Sequence, residues 1–234
     1  MKNLLAYALC GAGLLAAAPV MGQSATGTVV ELYTSQGCSS CPPADAYLTQ
    51  LASEPGIIAL ALHVDYWDYI GWKDKFGDPA YSERQRAYAH TVGSKTIYTP
   101  QMVVAGVDHA IGSDPDKVSG LIRRHQSADP MVILQLMRSG VSVKISATAV
   151  VEIEEPLMVQ LVRVKPTESV AIKRGENAGH TIEYSNIVMS WQRIGLWNGR
   201  EALEMTVPAP GPDRVVVILQ AEGPGMIFAA AQVD

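Results

Sequence analysis

The residues best suited to chemistry in this 234-residue chain are two cysteines three apart, in Gly37-Cys38-Ser39-Ser40-Cys41-Pro42-Pro43. A Cys-x-x-Cys pair at a helix start puts its first sulfur where unpaired backbone N–H groups and the helix dipole favour an anion. That thiol then ionises readily and attacks as a thiolate. Cys38 is the expected nucleophile, accessible to solvent. Cys41, one turn on, is the more buried thiol that resolves a mixed disulfide by attacking the Cys38 sulfur. Ser39 and Ser40 bring no positive charge, which argues against an extreme oxidant. Pro42 and Pro43 lack N–H donors where the helical ladder begins, so the helix is expected to start a residue or two late, with a weaker dipole. Three readings of the pair stay open: redox exchange, a static bridge that pins a loop in a non-catalytic partner protein, and a binding module, a periplasmic copper carrier in which His63 joins Cys38 and Cys41 as a ligand. A closed zinc site lacks ligands, because the sequence offers no second cysteine pair and no closely spaced histidine pair.

The setting of the pair follows from the first residues. Lys2, an apolar run from Leu4 to Val20 broken by Gly11, Gly13 and Pro19, and small residues near Gly22 read as a secretory signal peptide over residues 1–23. Its removal takes Cys10 away and leaves two cysteines, which close only on each other or on a client. No later stretch holds the ~18 uninterrupted apolar residues of a spanning helix. The expectation is therefore a periplasmic or secreted protein with no membrane insertion after signal removal. Losing Lys2 with the leader leaves 17 Lys and Arg against 23 Asp and Glu, so the formal charge moves from −5 to −6. With no basic run, nucleic acid is not an expected partner. The expected partner is a protein thiol or disulfide client, and no cofactor is expected.

Hydrophobic periodicity supplies the elements that position the cysteines. The β-rich Thr28–Thr34 leads into Cys38, and a helix over about 44–53 follows with Leu48 and Leu51 on one face. The unbroken apolar run Ile57–Val64 reads as a strand covered on both faces. Asp78-Pro79 and Asp114-Pro115 each pair a capping acid with proline at the first helical position, predicting helices to about Gly93 and His125. Between them, Gln101–Ala105, a turn at Gly106 and a return through Ala110-Ile111 read as a hairpin. The order β-α-β-α-β-β-α is that of the thioredoxin fold. After Asp129-Pro130, short strands at 131–137, 141–151, 157–164, 202–207, 215–220 and 226–231 predict a small antiparallel β-sandwich-like domain. The division expected is thus a thioredoxin-like domain over 24–129 and a β-rich domain over 130–234, with a helical turn around Asn186–Gly195.

Two further features fall near the cysteines. Thr99-Pro100 opens the third strand, where a cis-proline would lie beside the pair and leave the preceding backbone free for an extended client. The loop from His63 to Asp74 follows a central parallel strand and so lies at the carboxyl edge of the sheet, where sites collect in α/β folds. Trp67, Tyr69 and Trp72 are candidates to wall a client groove or, equally, to cover the protein's own core. Asp65 and Asp68 are candidates to move protons during exchange.

At these residues the chain resembles a known group. Val30 to Asp45 (V-E-L-Y-T-S-Q-G-C-S-S-C-P-P-A-D), His63 to Asp68, Tyr98 to Met102, Arg174 to Gly179 and Asn186 to Val188 are similar to bacterial secreted proteins grouped as domain of unknown function 1223. The resemblance covers nearly the whole mature chain. It implies a thioredoxin-like core followed by a β-rich domain, and it implies no activity or substrate.

Overall fold

A computed structural model describes residues 22–23 and 25–234; the expected leader before Gly22, Cys10 included, lies outside them. After the short strands β1 (Gly22–Gln23) and β2 (Ala25–Thr26), the chain forms β3 (Thr28–Thr34), α1 (Pro42–Leu51), β4 (Ile57–His63), a 3-10 turn (Asp68–Ile70) and α2 (Pro79–Thr91). Then come β5 (Gln101–Val104), β6 (Asp108–Ile111) and α3 (Pro115–Gln126). The rest is strand: β7 (Val132–Ser139), β8 (Ser142–Ala149), β9 (Leu157–Ala171), β10 (Thr181–Trp197), β11 (Leu203–Pro208), β12 (Arg214–Gln220) and β13 (Ile227–Val233).

Both expected acid-proline caps form. Asp78 accepts from the Ala80 N–H at 2.8 Å and Asp114 from the Lys117 N–H at 3.1 Å, each satisfying a donor the first turn leaves free. The first helix differs from expectation: it begins at Pro42 itself, directly after Cys41. Proline is tolerated there because first-turn N–H groups have no partner within the helix, and its fixed φ already suits the turn.

β4, buried at every residue, pairs in parallel with β3 on one side and with β10 on the other. β3 continues antiparallel to β5, and β5 to β6. β10 continues antiparallel to β9, then β12, β13 and β2, so a nine-stranded sheet runs in the order β2-β13-β12-β9-β10-β4-β3-β5-β6. A second sheet, β1-β7-β8-β11, lies against the far half of the first, with Leu134, Val143 and Ile145 meeting Val159, Val217 and Leu219 in one core. The turn near Pro130 thus marks where helices cease without separating two sheets.

The expected helical turn at Asn186–Gly195 is instead the middle of β10. Asn186 has φ +51°, and the register with β9 shifts between Val188 and Ser190 and again between Arg193 and Gly195. Each bulge inserts a residue and reverses which face the next side chain takes, so the period-2 pattern of a strand is lost in the sequence.

A buried ionic cluster ties the two halves together. Glu31 on β3 accepts from Arg84 Nε and Nη2 at 2.7 and 2.9 Å and from the Tyr88 and Tyr33 hydroxyls at 2.6 and 2.9 Å. Arg84 also donates to Gln220 of β12 at 3.0 Å and lies 3.8 Å over the Trp191 ring of β10.

Candidate redox site

Strand alternation builds the site. Val30 and Leu32 on β3, with Ala59 and Ala61 on β4, face α1 and pack against Ala44, Leu48 and Leu51. Two residues on, the same face carries Thr34 and His63, which are register partners. The apolar layer under α1 therefore ends in a polar one at the carboxyl edge of the parallel pair, where the chain leaves β3 for the cysteines.

Cys38 and Cys41 form a disulfide. The loop carrying them is already held by backbone bonds from Cys38 N–H to Ser35 O, Cys41 N–H to Cys38 O and Asp45 N–H to Cys41 O. Cys41 is the N-cap residue, so Cys38 stands a full turn ahead of the helix. The first two helical positions are Pro42 and Pro43, and Ala44 N–H bonds Cys41 O at 2.9 Å. The helix start thus offers Cys38 no free N–H of the kind that stabilises a thiolate. The polar neighbour it does have is Ser40 Oγ, 3.4 Å from its sulfur.

Solvent access also differs from expectation, since Cys38 is 1 % exposed and Cys41 0 %. Ser39 and Ser40 between them are exposed, so the cover is thin. Two segments supply it. Trp67 and Ile70 close against Gly37, where a Cβ would come within 3.1 Å of both; the aromatic side chain missing at position 37 arrives from the loop instead. From the other side comes the tip of the β9–β10 hairpin. Asn177 is the one buried residue between Lys173 and His180, and its Nδ2 donates to Gln36 O and Cys38 O, both at 3.0 Å. Trp72 links the two segments, donating from Nε1 to Gln36 Oε1 at 2.8 Å and packing its Cβ under Gly175.

The expected client-side residues lie around this loop. The Thr99-Pro100 peptide is cis. Thr99 Oγ1 accepts from Trp67 Nε1 at 2.7 Å, and Pro100 and Ala44 both flank Gly112, which places the proline beside the start of α1. Tyr69 is 80 % exposed and stacks on Trp67 with centroids 6.3 Å apart. Trp67, Tyr69 and Thr99 therefore form one shelf, whereas Trp72 is engaged in holding the hairpin tip. Asp65 accepts from Ser82 Oγ at 2.5 Å and Asp68 from the Asp74 N–H at 3.0 Å, so both brace the loop.

The acids behind the cysteines are others. Asp74 accepts from the Gln36 N–H at 2.8 Å, the Phe76 N–H at 2.9 Å and His63 Nδ1 at 2.7 Å. Burial alone would raise its carboxyl, but His63 and these N–H groups outweigh it and hold it below the usual carboxylate range. Asp45 accepts from Thr34 Oγ1 at 2.7 Å. Burial pushes its carboxyl up to about 7, against the lowering effect of His63 and Thr34. Asp45 and Asn177 lie within the motifs that carried the family resemblance, but an acid in a first helical turn reads as a surface residue favoured by the dipole. Thr34 and His63 beneath α1, and Tyr184 of β10 beside it, enclose it instead.

Among the described residues no three His, Cys, Asp or Glu side chains are grouped as a metal-ligand set. Of the ligands in the copper alternative, His63 shares Nδ1 with Asp74 and keeps Nε2 without a hydrogen-bond partner, while Cys38 and Cys41 are bonded to each other. No helix among the described residues is long and apolar enough to cross a membrane. A cavity of about 880 Å³ lies away from the cysteines, beneath β7 and β13 near Gly56.

The chain is similar to a crystal structure of the protein AGR_C_4864 from Agrobacterium tumefaciens, with 31 % identity and a TM-score of 0.75, over 89 % of this chain and 94 % of that one. It shares a fold with HBP35 of Porphyromonas gingivalis at 13 % identity and a TM-score of 0.57, over 89 % of this chain and 74 % of that one. No curated protein matches it. The model of the family described as "Protein of unknown function (DUF1223)" matches residues 29–220, and the chain belongs to that family.

Proposed function

We propose that this protein is an exported thiol–disulfide oxidoreductase, periplasmic or secreted, whose thioredoxin-like part exchanges the Cys38–Cys41 disulfide with a protein client. The β-α-β-α-β-β-α order supports the fold reading, with the pair between β3 and α1 and Thr99-Pro100 opening β5. One observation carries the functional reading: the cysteines are three residues apart in a loop that backbone bonds already close. By the chain-entropy estimate so short a link stabilises by only about 2 kcal/mol, against almost 5 for a loop of ~100 residues. As a staple it does little, and its worth is then in its chemistry. In one direction a client thiolate attacks Cys38, Cys41 leaves, and the client's second thiol displaces Cys38; in the other the Cys38 thiolate attacks a client disulfide and Cys41 resolves the mixed disulfide, with the shelf of Trp67, Tyr69 and Thr99 receiving the client chain in both.

The burial of both sulfurs favours a second reading, a static bridge. An exported Cys41→Ser variant separates the two. Exchange is expected to leave clients trapped on Cys38 as adducts released by reductant and absent from the Cys38→Ser/Cys41→Ser control. Recovery of Cys41→Ser free of adducts would favour the bridge.

A further inference from the structure

Four buried polar atoms without a hydrogen-bond partner sit on residues grouped behind the disulfide: Gln36 Nε2, Asp45 Oδ2, His63 Nε2 and Tyr184 OH. Elsewhere among the described residues only His109 Nε2 and Arg163 Nε share that state. Each such atom has given up its hydrogen bonds to water without replacement, so their concentration in one place calls for a role. Contacts bind the four residues into one group. Gln36 and His63 share Asp74 Oδ2, and the His63 and Tyr184 rings meet edge to face at 4.9 Å. Tyr184 also lies within electrostatic reach of both Asp45 and Asp74, and Asp45 within reach of His63.

The group has a fixed relation to Cys41. Asp45 lies four residues on, on the same face of α1, and helical side chains lean toward the amino end, which carries the Asp45 carboxyl back toward Cys41. Resting on the exchange reading above, we propose that Asp45, with His63 oriented by Asp74, is the proton store for Cys41. When a client dithiol reduces the pair, client thiolate bonds to Cys38 Sγ, the Sγ–Sγ bond breaks and its electron pair leaves on Cys41. The Asp45 carboxylic acid protonates that sulfur and becomes a carboxylate. The second client thiol then attacks the client sulfur of the mixed disulfide, releasing Cys38 and an oxidised client. In the reverse direction Asp45 takes the Cys41 proton as Cys41 attacks. His63 lies within electrostatic reach of the carboxylate that remains, and Thr34 Oγ1 donates to its Oδ1.

The groups around Asp45 are Thr34 on β3, His63 on β4, Asp74 on the following loop and Tyr184 on β10, and on its own helix the Asp45 N–H donates to Cys41 O at 3.0 Å. A carboxyl held at about 7 has a driving force near zero for giving and taking a proton at neutral pH, as a store requires. The test follows the Asp45 carboxyl carbon by NMR against pH, in the unaltered protein, before and after reduction by dithiothreitol. The expected midpoint is near 7 in the disulfide form and moves by ~0.5 pH unit or more on reduction, since coupling to the Cys41 thiol acts both ways. In parallel, Asp45→Asn, checked for an intact fold by circular dichroism, is expected to slow reduction near neutral pH about 100-fold and to flatten its pH profile. An identical midpoint in both redox forms overturns the proton store while leaving exchange standing. A wild-type disulfide that native dithiothreitol cannot reduce overturns exchange, and the store with it.

Discussion

Replacing Asn177 by alanine is expected to speed reduction of the Cys38–Cys41 disulfide by about 10- to 100-fold at fixed dithiol concentration. The expectation rests on the cover over the sulfurs. With Cys38 at 1 % exposure, a client reaches it only after the hairpin tip or the aromatic loop moves aside. Asn177 is the tip's polar hold on the cysteine loop, through its two bonds at 3.0 Å to Gln36 O and Cys38 O. Each is worth about 0.5–1.5 kcal/mol net. Losing both favours the open state by about 1–3 kcal/mol, which centres on a factor of roughly 10 to 100 in the opening equilibrium. The global fold loses far less, because the tip keeps its own backbone bonds, among them Gly179 N–H to Ile172 O and Ala178 N–H to Gly175 O. Thiol counting against time after adding excess dithiothreitol reads the effect. An unchanged rate in a folded Asn177→Ala protein would show that the tip does not control access.

The largest stability effect is expected at Arg84. Glu31 is fully buried in the middle of β3, and its carboxylate is satisfied by Arg84, Tyr33 and Tyr88 together. Burial, with the Glu31 charge, holds the Tyr33 and Tyr88 phenols well above their usual range, so they remain donors. Arg84→Met removes the one countercharge and leaves a buried carboxylate, a change that costs about 3–5 kcal/mol. Because Arg84 also reaches Gln220 and Trp191, the loss loosens α2 from β10 and β12. Adding Glu31→Gln to Arg84→Met removes the stranded charge and is expected to restore part of the stability. Urea unfolding midpoints of the two variants measure both effects, and a single variant as stable as wild type would mean that the pair contributes nothing net.

The elements that position the cysteines were legible because each is set by neighbours in sequence. The unbroken apolar run of β4, the Asp78-Pro79 and Asp114-Pro115 caps and the turn at Gly106 are local signals, and they gave the element order through α3. The cysteine pair and Thr99-Pro100 declared themselves by residue type. What stayed hidden depends on β10, whose two bulges break the alternation by which a strand is recognised. Without it the sequence offered no reason to join the later strands to β4, to bury Asp45 or to bring a hairpin tip onto Cys38. Glu31 was a visible oddity in an apolar strand, but its partner lies 53 residues on, and no periodicity links them. The helix start was misplaced because missing N–H groups were expected to delay it, whereas they weaken only the support it gives to Cys38.

The most direct test of an exchangeable pair is its reduction potential, taken by equilibrating the purified, folded protein with dithiothreitol buffers. Without helix N–H donors to stabilise a Cys38 thiolate, the reduced form lacks what makes a strong oxidant. The account therefore expects a single reversible two-electron transition between about −200 and −290 mV, well below the ~−120 mV of a strongly oxidising pair. A disulfide that stays closed to below about −300 mV, or that opens only when the chain unfolds, would make it a structural bridge and contradict the account.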